Sequence, residues 1–138
     1  MFEYISGAIA ILICLKLGYD QFFNRPLCGK NKVIVVTGCD NKGSFGQLSV
    51  EKLVEKGFNV YATYFTIAGK ESLLHLNKEI QTKASLDGHH YGIILPVRLD
   101  ITSEKSVTEC FSYLIADLRK RNWTLWALVN NAGVHDGL

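Results

Sequence analysis

The sequence predicts an α/β fold, a doubly wound parallel sheet with helices on both of its faces. Short apolar runs rich in β-branched and aromatic residues alternate with longer stretches in which apolar residues recur at helical spacing. Turn signals separate these segments, so the predicted order is β-α-β-α-β-α-β. Buried strands that alternate with helices form parallel sheets through right-handed crossovers. The 138 residues suffice for one domain at most.

Each predicted element follows from its own pattern. The run of valine and isoleucine that ends at Thr37 is typical of a strand buried on both faces, and Gly57 ends the first helix. Pro96 favours an edge position for the third strand, because proline cannot donate to a neighbour. The predicted strands cover residues 32–37, 58–65, 92–99 and 126–129, and the first two helices cover residues 45–56 and 70–84.

The third helix is predicted to run from a cap at Thr102 or Ser103 to about Arg121. Its apolar residues recur at helical spacing, so they are expected to form a buried stripe. That stripe consists of Val107, Phe111, Leu114, Ile115 and Leu118.

An apolar segment precedes the predicted domain. From Ile5 to Leu17 the sequence is apolar except for Ser6 and Lys16, and aromatic residues flank it, as they do at the interfaces of a bilayer. A cleaved signal peptide is the alternative, but the segment has no positive n-region and no convincing A-x-A site follows it. The sequence therefore predicts a hydrophobic signal-anchor helix over residues 1–23, a linker over 24–31 and a partial domain over 32–138. Because the basic residues follow the apolar run, we expect the domain to lie in the cytosol. The membrane that we expect is that of the endoplasmic reticulum.

Composition excludes several classes of partner. The net charge is +2 and the basic residues are scattered, so the electrostatic footprint of a nucleic-acid-binding protein is missing. The four cysteines show no paired spacing that would indicate a disulfide framework or a metal site. His89 and His90 follow the turn signal Asp87-Gly88 and are expected to lie in a solvated loop.

A glycine-containing loop connects the first predicted strand directly to a helix. It opens with Thr37-Gly38, and Gly43 and Gly46 follow. In such a context the first glycine allows a sharp turn, and later glycines let the backbone approach a pyrophosphate at the helix N-terminus. A purely structural glycine turn is the alternative. The strand-loop-helix order favours a phosphate-binding loop, and hence a dinucleotide cofactor.

Three motifs occur in a defined order: Thr37-Gly38 with its downstream glycines, Asp100 after the third strand, and Asn130-Asn131-Ala132-Gly133 after the fourth. In this order they resemble the N-terminal signatures of the short-chain dehydrogenase/reductase family. The segments VTGCD and LWALVNNAGV look most like the branch of retinol, 17β-hydroxysteroid and 3-hydroxybutyrate dehydrogenases. The resemblance covers about residues 32–134 and implies the first four strands of a Rossmann-like sheet.

The resemblance also implies roles for these motifs. The glycine loop would cradle the pyrophosphate, and Asp100 would accept a hydrogen bond from the adenine amino group, with Ile101 beside the ring. The turn after the fourth strand would line the ribose and nicotinamide side, and Asn130 would also tie that strand to its neighbour. A helix N-terminal acid is the alternative for Asp100, and an ordinary turn is the alternative for Asn130-Asn131. The cofactor-binding residues expected on this basis are Thr37, Gly38, Asp40, Gly43, Ser44, Phe45, Gly46, Asp100, Ile101, Asn130, Ala132 and Gly133.

The loop departs from the usual family pattern T-G-x-x-x-G-x-G. Four residues separate Gly38 from Gly43 and two separate Gly43 from Gly46, so the loop is two residues longer. It also fits G-x5-S-x-G, with Ser44 in place of one glycine, which resembles the enoyl reductase variant of the fold. The longer loop is still expected to bind phosphate, with a different geometry.

The choice of nucleotide depends on the end of the second strand. An acid there bonds the ribose 2′-hydroxyl of NAD, whereas a nearby arginine accommodates the 2′-phosphate of NADP. The sequence Thr63-Tyr64-Phe65-Thr66 offers neither. The missing cation favours NAD, and NADP is the alternative because Lys42 or Lys70 could reach a phosphate.

Catalysis in this family depends on a serine and a Tyr-x-x-x-Lys pair that follow the Asn-Asn-Ala-Gly motif. This sequence contains no Tyr-x-x-x-Lys, so we predict no catalytic residue in it. The resemblance implies an NAD(P)-dependent oxidoreductase that interconverts alcohol and ketone groups on a lipophilic, retinoid- or steroid-like substrate, with this chain truncated before the catalytic residues. Two alternatives remain: a noncatalytic nucleotide-binding or interaction protein, and a small membrane-tethered structural protein.

Overall fold

The computed structural model describes residues 29–133, and its sheet confirms the predicted Rossmann-like α/β fold. The predicted signal-anchor and most of the predicted linker lie outside the described residues. Within residues 29–133, no helix combines the length and apolar character that crossing a bilayer requires. The strands are β1 (Lys32–Val36), β2 (Asn59–Tyr64), β3 (Ile94–Arg98) and β4 (Thr124–Val129), and the helices are α1 (Phe45–Glu55), α2 (Ile67–Asp87) and α3 (Glu104–Arg121).

All neighbouring strands of the sheet are parallel, in the order β3-β2-β1-β4. The chain moves outward from β1 to β3 and then returns through α3 to pair β4 with the other side of β1. The strand order therefore reverses at β1, and in such sheets ligands bind at the carboxyl ends of the strands at that point. We call this end of the sheet the carboxyl edge and the opposite end the amino edge. Pro96 lies in β3, an outer strand of the described sheet, as predicted.

The sheet is covered on both faces, which is why consecutive residues of β1 are buried. Val36 packs in a cluster with residues of α1 and α2, whereas Val35 packs on the opposite face with residues of α3. Side chains of a strand alternate between faces, so a strand covered on both sides is apolar at every position. The first cluster includes Val50, Val54, Leu73 and Ile80, and the second includes Tyr61, Val97, Cys110 and Leu118.

Side-chain caps set where the helices begin. Thr66 accepts a hydrogen bond from the Gly69 backbone N–H at 3.0 Å, so α2 begins at Ile67, three residues before the predicted start. Ser103, rather than Thr102, caps α3 by accepting from the Ser106 backbone N–H at 3.3 Å. The helix boundaries therefore follow hydroxyl caps more closely than the apolar pattern.

The predicted buried stripe of α3 is only partly correct. Leu118 is buried, and Leu114 and Ile115 are partly buried, but Val107 and Phe111 are exposed. Cys110, which the stripe did not include, is buried instead. The side of α3 that faces the sheet is therefore narrower than predicted and is rotated toward Cys110.

A polar contact explains this rotation. The Tyr61 hydroxyl, from β2, donates to Asp117 Oδ2 at 2.7 Å, and Arg121 Nε donates to the same oxygen at 2.8 Å. Burial and the bond to Asp117 raise the pKa of the Tyr61 phenol, so it stays a donor at neutral pH. Burial by itself would raise the pKa of Asp117, but the bonds from Tyr61 and Arg121 lower it below its ordinary value. Asp117 therefore remains an acceptor and turns its side of α3 toward the sheet.

The pairing of β4 with β1 contains an irregularity. Val33 pairs with Leu125 and Ile34 pairs with Ala127, so Trp126 is an extra residue on β4. A bulge of this kind inverts the side-chain alternation beyond it.

Candidate functional site

Thr37 joins the turn after β1 to the turn after β4. Its hydroxyl oxygen accepts hydrogen bonds from the backbone N–H groups of Asn131 and Ala132, both at 2.9 Å. The same hydroxyl donates to the Val129 carbonyl at 3.4 Å. Thr37 is buried, so its hydroxyl depends on the protein for its hydrogen-bond partners. One side chain thus holds both turns in a single arrangement.

The second asparagine of the motif strengthens this junction. Asn131 Nδ2 donates to the carbonyl oxygens of Thr37 and Gly38, each at 3.0 Å. The resemblance implied that Asn130 would connect the fourth strand to its neighbour, but Asn130 is exposed. The prediction for Asn130 is corrected on this point: Asn131 connects β4 to the loop after β1.

Glycine is required at position 38 by both geometry and space. Gly38 has φ of +72°, and a Cβ there would lie 2.6 Å from the Ala132 Cα atom. The two turns therefore touch backbone to backbone at the carboxyl edge, between β1 and β4. The glycine loop and the Asn-Asn-Ala-Gly turn, to which the resemblance gave parts of one nucleotide site, therefore meet in this structure.

Gly46 brings the N-terminus of α1 against the same junction. A Cβ at Gly46 would lie 2.6 Å from the Gly38 carbonyl oxygen and 2.8 Å from Asn131 Nδ2. Ser44 caps the helix, and Phe45, the first helical residue, is exposed. The first N–H groups of a helix have no intrahelical partner and carry a partial positive charge. An anion-attracting end therefore lies beside the two turns.

The lengthened part of the loop turns outward. The Ser44 backbone N–H donates to the Asn41 carbonyl at 3.1 Å, and Gly43 has φ of +75°. Apart from its chain neighbours, no atom of residues 29–133 lies within 4 Å of where a Gly43 Cβ would be. Gly43 is thus needed for its backbone conformation and not for space. The contact between Gly38 and Gly46 is preserved despite the longer loop.

Gln47 stabilises the glycine loop through hydrogen bonds, a role that the sequence did not indicate. Its Nε2 atom donates to the Cys39 carbonyl at 3.0 Å and to Ser72 Oγ at 2.9 Å. Cys39 is itself buried, and burial together with the nearby Asp40 charge raises the pKa of its thiol to about 12. The thiol therefore stays protonated and packs as a small apolar group.

Asp40 reaches from the glycine loop to the end of β2. Its Oδ1 atom accepts from the backbone N–H groups of Phe65 and Thr66 at 2.9 and 2.7 Å. The Thr66 hydroxyl donates to the same oxygen at 2.9 Å. The structure thus places a carboxylate at the end of β2, although the sequence Thr63-Tyr64-Phe65-Thr66 contains none. Sequence separation hid this contact, because Asp40 and Phe65 lie 25 residues apart.

Asp100 holds the turn that leads into α3. Its Oδ1 atom accepts from the Thr102 backbone N–H at 2.9 Å and from the Thr102 hydroxyl at 2.7 Å. These bonds lower the pKa of the Asp100 carboxyl below its ordinary value, so it is ionised at neutral pH. Within residues 29–133, Oδ2 has no hydrogen-bond partner and Ile101 beside it is exposed. Oδ1 therefore stabilises the turn, and Oδ2 can accept a hydrogen bond from a ligand.

Three backbone hydrogen bonds align the strand ends at the carboxyl edge. The N–H groups of Leu99, Cys39 and Thr37 donate to the carbonyl oxygens of Tyr64, Thr63 and Val129, respectively, at 2.8 to 3.0 Å. The turns after β3, β2, β1 and β4 therefore follow one another along this edge. In that order this edge presents Asp100, the Asp40 carboxylate, which reaches the end of β2 from the loop after β1, and then Gly38 and Asn131. Such a row suits an elongated phosphorylated ligand.

A family profile described as short chain dehydrogenase matches residues 32–137, which include the entire carboxyl edge. The match covers more than half of the sequence. The chain belongs to the short chain dehydrogenase family. Its family and its fold class were thus correctly assigned from the sequence.

Curated relatives of this short chain dehydrogenase chain include steroid and retinol enzymes by name. It is 38% identical over 103 residues to "3beta-hydroxysteroid dehydrogenase dhs-16" of Caenorhabditis elegans, covering 75% of this chain and 24% of that protein. It is 32% identical over 129 residues to human "Short-chain dehydrogenase/reductase family 9C member 7", covering 91% of this chain and 36% of that protein. Human "Retinol dehydrogenase 5" is 33% identical over 110 residues, with 80% and 29% covered. The chain thus spans about a quarter to a third of the length of these relatives.

A solved structure also resembles this short chain dehydrogenase chain. A short chain dehydrogenase from Mycobacterium smegmatis superposes with a TM-score of 0.53 at 26% identity. The superposition covers 78% of this chain and 38% of the mycobacterial chain. It agrees with the parallel sheet and its flanking helices.

Proposed function

We propose that this chain is the nucleotide-binding part of an NAD-dependent oxidoreductase that interconverts alcohol and carbonyl groups on a lipophilic, retinoid- or steroid-like substrate. The observation that carries the proposal is the junction of the Gly38 loop with the Asn131 turn beside the N-terminus of α1. Such a junction lies at the strand-order reversal of the sheet, where nucleotides bind in folds of this kind. The substrate class is supported by the names of the steroid and retinol dehydrogenases among the relatives.

Under this proposal, the residues of the carboxyl edge would contact a dinucleotide in order along its length. The positive end of α1 and the loop from Gly38 to Gly46 would hold the pyrophosphate, because backbone N–H groups there can approach it closely. Asp100 Oδ2 would accept from the adenine amino group, with Ile101 beside the ring. The turn after β4, with Asn130, Ala132 and Gly133, would line the ribose and nicotinamide side.

The bound nucleotide would supply hydride transfer, and this chain would bind and orient it. The chain contains no Tyr-x-x-x-Lys, so we assign no proton-transfer residue to it. The rigid junction of Thr37, Gly38 and Asn131 would fix the position of the nucleotide relative to the sheet. Preorganisation of this kind lowers the entropy lost on binding.

Titration calorimetry of the 138-residue chain in detergent micelles tests nucleotide binding. We expect saturable binding of NAD with one site per chain, and weaker binding of NADP. Adenosine, which lacks the pyrophosphate, is the control ligand and should bind much more weakly, since the loop contacts phosphate. If neither NAD nor NADP binds, the proposed function is wrong. If a protein that contains this chain binds NAD but oxidises neither retinol nor a 3β-hydroxysteroid, the noncatalytic nucleotide-binding alternative is favoured.

We further propose that residues 1–23 attach the protein to the endoplasmic reticulum membrane, with the domain on the cytosolic side. The support is the sequence: an apolar run from Ile5 to Leu17, with the basic residues after it. The expected result is that the chain stays with the membrane fraction after alkaline extraction, while a variant lacking residues 1–23 is released. Release of the complete chain would contradict attachment through this segment.

A further inference from the structure

We propose that Asp40, a residue of the glycine loop, selects NAD over NADP by accepting a hydrogen bond from the 2′-hydroxyl of the adenosine ribose. This inference rests on the proposed function, because it specifies how the proposed nucleotide site discriminates between two nucleotides. Folds of this kind usually place the discriminating acid at the end of the second strand itself. Here the residues at that position are Thr63-Tyr64-Phe65-Thr66, and the acid comes from the preceding loop.

The position of the Asp40 carboxylate is fixed by the residues that follow β2. Oδ1 accepts from the backbone N–H groups of Phe65 and Thr66 and from the Thr66 hydroxyl. The Phe65 N–H also lies 3.0 Å from Oδ2. Because β2 ends at Tyr64, these contacts place the charge directly after the strand end. This is where an acid in the strand sequence would lie.

Gly69 provides the space that this arrangement needs. A Cβ at Gly69 would lie 2.6 Å from Asp40 Oδ1 and 2.9 Å from the Asp40 Cα atom. The first turn of α2 therefore approaches the loop only because residue 69 has no side chain. The glycine in α2 and the acid in the loop form one structural unit.

The carboxylate retains both acceptor capacity and charge. A carboxylate offers about four lone-pair sites. Oδ1 takes three donors, whereas Oδ2 has only the shared Phe65 N–H. Within residues 29–133, Asp40 forms no ion pair with a lysine or an arginine, including Lys42 and Lys70. An acceptor of this kind can bond a hydroxyl, and its charge would repel a doubly charged 2′-phosphate.

A purely structural role for Asp40 predicts a different result. The same bonds connect the loop to the N-terminus of α2, where a negative charge is also favoured by the helix dipole. If connection were the only role, loss of the charge would weaken NAD and NADP binding by the same factor. Selection by the carboxylate instead predicts opposite changes for the two nucleotides, which differ only in the 2′-phosphate.

The test compares NAD and NADP binding to the 138-residue chain and to Asp40→Asn by titration calorimetry in detergent micelles. Asparagine keeps an oxygen that can accept from Phe65 and Thr66 but removes the negative charge. We expect the unsubstituted chain to prefer NAD, and Asp40→Asn to shift the NAD-to-NADP affinity ratio at least about tenfold toward NADP.

Two further variants serve as controls. Glu51→Gln removes one negative charge from α1, at a carboxylate with no ion pair among the described residues, and should leave the affinity ratio unchanged. Thr66→Ala removes one partner of Asp40 but keeps its charge, so it should weaken both nucleotides equally. An unchanged ratio in Asp40→Asn, with NAD still bound, would overturn the role of Asp40 and leave the proposed function standing. Failure of the unsubstituted chain to bind either nucleotide would overturn both.

Discussion

Gly38→Ala is expected to lower nucleotide affinity on the order of a hundredfold and to destabilise the fold by about 2–4 kcal/mol. Two costs combine at this position. Gly38 has φ of +72°, which a residue with a Cβ adopts at a cost of about 1–2 kcal/mol. The added Cβ would also lie 2.6 Å from the Ala132 Cα atom, so the two turns would have to separate. Calorimetric titration with NAD and urea denaturation would measure the two effects.

Gly88→Ala is a matched control for this prediction. Gly88 follows α2 with φ of +67°, but no atom of the described part of the chain, other than its neighbours in sequence, lies within 4 Å of where its Cβ would be. Alanine there should cost about 1 kcal/mol through backbone strain alone and should leave NAD affinity unchanged. If Gly38→Ala and Gly88→Ala lost equal stability and both bound NAD normally, the contact between Gly38 and Ala132 would be unimportant.

Thr37→Val is expected to destabilise the fold by about 2–3 kcal/mol and to weaken NAD binding at least about tenfold. Valine has nearly the same shape as threonine but lacks the hydroxyl. The N–H groups of Asn131 and Ala132 would lose their common acceptor, and an unsatisfied buried donor costs about 1–3 kcal/mol. Urea denaturation would measure the loss of stability, and calorimetric titration with NAD would measure the loss of affinity.

The controls for Thr37 separate the hydroxyl from the change in shape. Thr37→Ser keeps the hydroxyl and should retain most of the stability and binding. Thr108→Val removes an exposed hydroxyl that donates to the Glu104 carbonyl in α3, and it should change stability by less than about 0.5 kcal/mol. A Thr37→Val variant as stable as Thr108→Val would contradict the junction described here.

The fold could be predicted from the sequence because local pattern and topology agree. Each strand is a short apolar run between turn residues, and parallel sheets buried on both faces require such runs. The helix starts were less predictable. Thr66 begins α2 through a hydroxyl cap, whereas Ile67, the first residue of that helix, is exposed and does not lie on its buried face. In α3, the bond from Tyr61 to Asp117 turned the helix in a way that apolar spacing could not reveal.

The site could be predicted only in outline. The resemblance assigned Gly38, Gly46 and the turn after β4 to one nucleotide, and the carboxyl ends of parallel strands share one edge. Which asparagine bonds to the loop after β1 was not predictable, because the two are adjacent and identical in type, and only the three-dimensional contact distinguishes Asn131. The carboxylate at the end of β2 was missed because it comes from a residue of a different loop. Gly69 leaves the space that Asp40 occupies, but a glycine at that position does not by itself indicate a nearby carboxylate.

The turns after β1 and β4 are proposed to form one nucleotide site. Hydrogen–deuterium exchange of the 138-residue chain with and without NAD tests this most directly. We predict that NAD slows exchange together in residues 38–46 and in residues 130–133. Residues 88–92, at the amino edge of the sheet, should exchange at the same rate in both conditions. Protection of only one of the two turns, or protection at the amino edge instead, would contradict the claim.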